Sequence, residues 1–145
     1  TFQAAAFLMS HGADTVAVKQ MFSGSLDSYR IKASVLSSAE VYKNCAVAVV
    51  PKTENKELRA IASQVADELM NVTGVKASFV LFEDRDCINV SARSLGEMNV
   101  QILMEKMGGG GHFTMAATQL SKVTMEEAVC QLKAVIDSYP ERAEK

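Results

Sequence analysis

The sequence contains no tryptophan, and aromatic residues make up only 6% of its 145 residues. Its formal net charge at pH 7 is −2. A module that binds single-stranded nucleic acid combines a basic groove with exposed aromatic side chains on which the bases stack. The composition therefore favours a small ligand and argues against a long nucleic acid as the partner.

Two further features are absent. The three cysteines, Cys45, Cys87 and Cys130, form no Cys-x-x-Cys pair, so we expect reduced thiols in the core of a cytosolic protein. No apolar run approaches the ~20 residues needed to cross a bilayer, so we expect no membrane contact by this segment. The chain begins at Thr1 inside a helical pattern, and we expect it to be part of a longer protein.

The first part of the chain is predicted to be helical. A helix over Phe2–Met9 is followed by a second helix that Asp14 caps and that ends near Phe22. A third helix is predicted from Leu26 to Tyr42, with Ser25 as its N-cap. This long third helix is expected to link two domains.

The remainder alternates between strands and helices. Strands are predicted at 45–50, 76–82, 87–93 and 112–120, and helices at 58–70, 99–107 and from the capping box at Thr124 to near Pro140. This order predicts an α/β fold, a mixed β-sheet flanked by helices with at least one antiparallel hairpin, preceded by a helical segment and a linker helix.

A hydroxyl and a guanidinium share one face of the predicted strand 87–93. The period of two places Ser91 and Arg93 on the same side. Ser94 and Asn99 follow, and either could cap a helix whose free N–H groups favour anions. Together these groups could form a phosphate site, although these residues taken without the glycine loop favour a simpler interpretation, a capped helix beside a solvated arginine.

Four consecutive glycines, Gly108–Gly111, precede His112 and account for half of the eight glycines in the chain. Each ordered glycine costs up to ~1 kcal/mol relative to alanine, so four together need a reason. Close approach of a ligand or of another backbone explains them better than a flexible linker. No Lys-Ser/Thr follows, so this is not a Walker loop. His112 is either structural or part of the site.

The stretch SARSLGEMNVQILMEKMGGGGHFTMAATQL, residues 91–120, resembles the signature of the DHH-associated domain of DHH-family phosphoesterases. The resemblance extends over nearly the whole chain and is strongest for the bacterial membrane-anchored cyclic-di-AMP phosphodiesterases. Residues 1–43 resemble the end of the catalytic DHH domain and a linker helix, and residues 44–145 resemble the DHH-associated substrate-binding domain. Many relatives have Ala-Ala-Gly where this chain has Ala116-Ala117-Thr118, which favours the dinucleotide phosphodiesterases over a generic exonuclease.

The resemblance implies a manganese-dependent phosphodiesterase that hydrolyses cyclic-di-AMP to linear diadenylate. The two manganese ions would be held by Asp and His residues of the catalytic DHH domain. The present chain has only His11 and His112 and no Asp-His-His sequence, so we expect it to bind no metal and to be inactive alone. The parent protein would be anchored in the cell membrane, with this segment at the cytoplasmic face. The substrate-binding residues implied by position are Ser91, Arg93, Ser94, Asn99, Gly108, Gly109, Gly110, Gly111, His112 and Ala116.

Two other functions stay open. One is a single-stranded nucleic-acid-binding module of a RecJ-like exonuclease or a short-oligonucleotide phosphatase. The other is a dimerisation domain whose glycine loop packs against a partner. The apolar face of the first helices, taken from an incomplete domain, is also expected to recruit a second copy and form a homodimer.

Overall fold

The computed structural model describes residues 2–21 and 23–140. Within these ranges the chain forms six helices and one six-stranded mixed sheet, which confirms the predicted α/β class. The elements in chain order are α1 (Phe2–Ser10), α2 (Thr15–Met21), α3 (Leu26–Ser37), β1 (Glu40–Tyr42), β2 (Cys45–Val49), α4 (Leu58–Leu69), β3 (Ala77–Asp84), β4 (Cys87–Ser94), α5 (Val100–Lys106), β5 (Gly110–Gly111), β6 (Met115–Ser121) and α6 (Met125–Asp137).

The strands are arranged in the order β1-β2-β3-β4-β6-β5. Strands β2 and β3 are parallel and are joined through α4, whereas the other neighbours are antiparallel. Two hairpins close through two-residue loops, Lys43-Asn44 and Arg85-Asp86, whose residues all have positive φ between 46° and 61°. Such loops are typical of type I′ turns, which match the twist of the flanking strands.

Helices cover the two faces of the sheet unequally. On one face, α5 and α6 pack over the strands, burying a core that includes Phe79, Leu81 and Leu103. On the other face, α4 packs on β2 and β3 through Ile61 and Val65, and α3 adds Val35. The second core contains no residue of β6 or β5, so this part of that face is not covered by α4.

The local signals at the helix ends are confirmed. Asp14, Ser25, Asn99 and Thr124 each accept a hydrogen bond from a backbone N–H in the first turn of the helix that follows. Thr124 also completes a capping box with Glu127. These caps satisfy donors that a helix N-terminus cannot pair internally, which is why they could be recognised from sequence.

The predicted helix from Leu26 to Tyr42 is wrong in its last turn. Helix α3 ends at Ser37, and Glu40–Tyr42 forms edge strand β1, paired with β2. Strand β1 is further held by the Tyr42 hydroxyl, which donates to Asp137 at 2.9 Å. Pairing with a distant strand overrides the local helical periodicity here. The predicted end of the second helix, Phe22, lies outside the described residues.

The expectation of three core cysteines is also wrong. Cys45 is fully buried, but Cys87 is half-buried and Cys130 is exposed. Burial raises the pKa of the Cys45 thiol to about 11. By contrast, Met98, Met104 and Met107 are buried in the core beneath α5 and α6.

The first helix contributes no buried residue to either core. Phe2 is 95% exposed and Phe7 is 61% exposed, and Val16 of α2 is 59% exposed. The described part of the chain contains no helix with both the length and the apolar character that crossing a membrane would require.

Candidate functional site

Strand β4 directs its candidate residues to opposite faces of the sheet. Ile88, Val90 and Ala92 face the core under α5 and α6, as the alternation predicts. Arg93 therefore points to the α4 face, and the next residue, Ser94, points away from it. The adjacent Arg93 and Ser94 side chains thus cannot contact one ligand on the same surface of the sheet.

The guanidinium of Arg93 is held by three hydrogen bonds. Its Nε donates to Oδ1 of Asp67 on α4 at 2.9 Å. Its Nη1 donates to the Ala92 carbonyl at 2.9 Å and to the Ser91 hydroxyl at 3.3 Å. The Arg93 side chain is 13% exposed. The arginine is therefore oriented before any ligand arrives, rather than moving freely in solvent.

The first two glycines terminate α5. Gly108 has φ +80°, a backbone conformation that side chains disfavour. The Gly108 amide bonds the Glu105 carbonyl at 3.0 Å, and the Gly109 amide bonds the Met104 carbonyl at 2.8 Å. This pair of hydrogen bonds is the Schellman motif, in which glycine is the preferred residue.

Close approach of the chain's own backbone explains two of the glycines. A Cβ on Gly109 would lie 2.2 Å from the Ala117 carbonyl oxygen, and one on Gly111 would lie 2.4 Å from the Ala116 Cα. Both contacts are with β6, so no ligand is needed to account for them. Gly110 differs, because a Cβ there would meet no atom within 4 Å.

The sheet register places Gly110 on the same face as Ser91 and Arg93 of β4. Ser91 pairs with Ala117 on β6, and Ala117 pairs with Gly110 on β5. Arg93 pairs with Met115. Paired residues share a face, and strands lie about 4.8 Å apart, so Ser91 and Gly110 are about 10 Å apart across β6. We call this surface the open strip; it consists of Ser91, Arg93, Gly110, Met115 and Ala117.

The open strip combines one fixed cation with apolar and bare-backbone surface. Met115 is 53% exposed, Ala117 is exposed, and Gly110 is half-buried. A planar ligand group could lie against Gly110 and Ala117, where no large side chain projects. Arg93 supplies planar, charged hydrogen-bond donors at one end of the strip, the geometry that suits phosphate oxygens.

The helix N-terminus of α5 does not offer the free N–H groups that the sequence suggested. The Asn99 amide donates to the Tyr139 hydroxyl at 2.9 Å, and the Val100 amide donates to the Phe113 carbonyl at 3.0 Å. The next two amides donate to the Asn99 side chain. This terminus also packs on the face opposite the open strip. Asn99 is thus a helix cap, and the predicted anion site at this terminus is not formed.

Two other candidate positions lie off the strip. Ala116 is buried in the core under α5 and α6, on the face opposite Ala117. Ser94 is buried, and its hydroxyl donates weakly to the Phe113 carbonyl at 3.5 Å. The structure thus places Ser91, Arg93 and Gly110 together and separates Ser94, Asn99 and Ala116 from them.

His112 occupies the turn between β5 and β6. The His112 amide donates to the Met115 carbonyl at 2.6 Å, and His112 is exposed to solvent. Among the described residues, its imidazole has no hydrogen-bond partner. His112 is therefore the residue after β5, at the edge of the open strip, and its ring is available to a ligand.

The other histidine, His11, has a local structural role. Its Nδ1 lies 2.8 Å from the Phe7 carbonyl oxygen in the last turn of α1. Residues 2–21 and 23–140 contain no cluster of three or more His, Cys, Asp or Glu side chains that could hold a metal ion.

Three residues were not found from the sequence: Met115 and Ala117 of the open strip, and Asp67 at its border. Asp67 lies 26 residues before its partner Arg93, and no local pattern joins them. Alternation along β6 separates Ala117 from Ala116, but it cannot tell which of the two faces the uncovered side. Only the register with β4 makes that distinction.

Two of the cavities formed by the described residues lie away from the open strip. The larger, of about 690 Å³, is lined by residues 52–56, 58–59 and 83–86 and mixes acidic with basic side chains. The smaller, of about 220 Å³, lies between α3 and α4. Neither of these two cavities includes a residue of the open strip.

Comparison with known proteins identifies close relatives of this sequence. The chain is 44% identical over 142 residues to the cyclic-di-AMP phosphodiesterase GdpP of Bacillus subtilis. The match covers 96% of this chain but 22% of that protein, so the chain spans about a fifth of its relative's length.

Solved structures share the fold. An exopolyphosphatase-related protein from Bacteroides fragilis superposes with a TM-score of 0.80 at 25% identity, covering 95% of this chain and 43% of that one. RecJ from Thermus thermophilus, solved in complex with Mn²⁺, superposes with a TM-score of 0.53 at 14% identity, covering 78% of this chain and 17% of that one. The second likeness concerns the fold alone.

A family model, the DHHA1 domain, matches residues 42–140. This range contains the sheet from the end of β1 onward, α4 to α6 and the open strip. The chain therefore belongs to the DHHA1 domain family and is a relative of the bacterial cyclic-di-AMP phosphodiesterases.

Proposed function

We propose that this chain is the substrate-recognition part of a phosphodiesterase that hydrolyses cyclic-di-AMP to linear diadenylate. The observation that carries the proposal is the open strip, where an oriented guanidinium and the bare backbone of Gly110 share one uncovered face. The identity of 44% to a cyclic-di-AMP phosphodiesterase supports the choice of ligand.

In this proposal, Arg93 binds a phosphate of the dinucleotide and Gly110 forms the floor beneath a sugar or base. Ser91 is buried beside Arg93 on β4, Ala117 of β6 lies between Ser91 and Gly110 in the register, and His112 follows the glycines. The glycines Gly108, Gly109 and Gly111 act indirectly, because they hold β5 against β6 and so set the position of Gly110.

The hydrolytic chemistry would come from metal ions bound outside this chain. We propose that they are manganese ions in the catalytic DHH domain of the parent protein, and that residues 1–43 belong to the end of that domain and its linker. Bound divalent cations would lower the pKa of a water molecule and stabilise negative charge on the phosphoryl oxygens. The parent protein is proposed to be anchored in the bacterial membrane, with this segment on the cytoplasmic side.

Calorimetric titration of this chain with three ligands tests the proposal. We expect binding of cyclic-di-AMP or the linear diadenylate, and much weaker binding of a single-stranded oligonucleotide of random sequence. Arg93→Ala serves as the matched site variant. If the oligonucleotide bound tightest and its affinity fell steeply with salt, the chain would be a nucleic-acid module instead. No binding of any ligand, combined with a concentration-dependent dimer, would favour a dimerisation domain.

A further inference from the structure

Asp67 contacts Arg93, the residue proposed to bind phosphate, from a helix outside the β-sheet. It lies in the last turns of α4, and its Oδ1 accepts the hydrogen bond from Arg93 Nε at 2.9 Å. The Asp67 side chain is 63% exposed, whereas the arginine is 13% exposed. An exposed carboxylate thus holds a mostly buried guanidinium at the border between α4 and the open strip.

The hydrogen bonds of Arg93 leave one edge of the guanidinium available. A guanidinium has five N–H donors, one on Nε and two on each terminal nitrogen. Nε is used by Asp67, and the two hydrogens of Nη1 can serve Ser91 and Ala92. In the described structure Nη2 has no hydrogen-bond partner, and no buried side-chain nitrogen there lacks one, so Nη2 is in contact with solvent.

The contact between Asp67 and Arg93 is better explained by orientation than by folding stability. The Asp67 carboxylate is in contact with solvent, and screening by solvent reduces what an ion pair contributes to the free energy of folding. A free arginine side chain, however, carries rotamer entropy that ligand binding must otherwise remove. A side chain that is already held in place binds its ligand with a smaller entropic cost.

We propose that Asp67 is a positioning residue for nucleotide binding: it fixes Arg93 through Nε, so that the Nη2 edge is presented to a phosphate on the open strip. This inference rests on the proposed function, because Arg93 must bind the ligand for its orientation to matter. Asp67 itself does not contact the ligand.

The charge of Asp67 acts against its positioning role. A carboxylate close to a bound phosphate repels it, so removing the charge alone strengthens binding. Asp67→Asn and Asp67→Ala remove the same charge, but only Asn keeps an oxygen that can accept from Nε. The ratio of their affinities therefore measures positioning with the charge effect held constant.

The experiment measures cyclic-di-AMP affinity by calorimetry for both variants of the 145-residue chain, with thermal melts as a check on folding. Ordering one long side chain corresponds to a loss of about three- to tenfold in affinity, so we expect Asp67→Ala to bind about three- to tenfold more weakly than Asp67→Asn. Equal affinities, or tighter binding by Asp67→Ala, would overturn the proposal. Should Asp67→Ala not fold, Asp67→Leu provides a second variant that is close to Asp67→Asn in size and lacks a hydrogen-bond acceptor.

The same comparison in an Arg93→Ala background separates the two proposals. If Asp67 acts through Arg93, the difference between Asn and Ala disappears when the arginine is absent. If Arg93→Ala alone leaves the affinity unchanged, the open strip is not the ligand site and the proposed function fails with it. If Arg93→Ala weakens binding but the Asn-to-Ala difference persists, the proposed function stands and only the role of Asp67 is refuted.

Discussion

The four glycines allow binding and folding to be separated, because only Gly110 combines open space for a side chain with a backbone conformation that other residues adopt. At Gly110 the backbone is not in the left-handed region, and an added Cβ would meet no atom within 4 Å. At Gly109 the added Cβ would lie 2.2 Å from a backbone oxygen and 2.5 Å from the Thr118 Cβ. A side chain at Gly110 should therefore be tolerated by the fold, and one at Gly109 should not.

The expected magnitudes follow from these distances. Replacing glycine by alanine where the backbone permits it stabilises a protein by about 0.4–1 kcal/mol, so Gly110→Ala should melt at the same temperature or a few degrees higher. Gly110→Val should also fold, because β-branched residues such as valine are suited to a strand. Gly109→Ala forces backbone movement between α5 and β6, which corresponds to about 1–3 kcal/mol of lost stability and a melting temperature lower by about 5–15 °C.

Ligand binding should be most sensitive at Gly110, where a substitution leaves the stability of the fold unchanged. If a nucleotide lies against Gly110, the valine side chain occupies the position of the ligand, and we expect Gly110→Val to lose at least tenfold in affinity, about 1.4 kcal/mol. Gly110→Ala should show a smaller loss of the same sign. The measurements are calorimetric titration with cyclic-di-AMP and thermal melts on the same samples. Wild-type affinity in well-folded Gly110→Val would refute the placement of the ligand on this glycine.

Four further predictions concern the site, the core and the chain as a whole. Arg93→Ala should weaken cyclic-di-AMP binding by about 1.5–3 kcal/mol and His112→Ala by about 1 kcal/mol, measured by calorimetry; unchanged affinity in both folded variants would remove these residues from the site. The buried Cys45 thiol titrates at about 11 instead of its ordinary 9.0. The stability that the protonated thiol contributes is therefore complete below pH 9 and declines as the pH rises toward 11. By about pH 10.5 we expect the free energy of unfolding to have fallen by about 2 kcal/mol from this thiol, measured by urea melts. Cys45→Ala, the control, should lack this part of the decrease. The isolated chain should not hydrolyse cyclic-di-AMP when manganese is added to metal-depleted protein, and robust turnover would refute the prediction that it binds no catalytic metal. Exposed apolar residues of α1 and α2, including Phe2 and Phe7, should promote a dimer that sedimentation detects and that charged substitutions at these positions abolish; an unchanged monomer at high concentration would argue against it.

Much of the fold follows from local sequence signals. The stripe of α4, the caps at Asp14 and Thr124 and the alternation along β4 are properties of neighbouring residues, and all are present in the structure. These features could be predicted because one turn of helix or one strand contains all the atoms involved. The prediction that the third helix continues through Tyr42 was wrong, because residues 40–42 pair with β2, and this pairing is not visible in the local sequence pattern.

The candidate site depended more strongly on tertiary structure. The sequence alone determined that a hydroxyl and a guanidinium share one face of β4 and that four glycines need a structural reason. Only the register of β4, β6 and β5 decided which glycine joins that face, and only the packing of α4 brought Asp67 to Arg93. The physical reason is that a strand has two equivalent faces until helices cover one of them. Whether a glycine is required by a ligand or by a neighbouring backbone is likewise decided by atoms far away in the sequence.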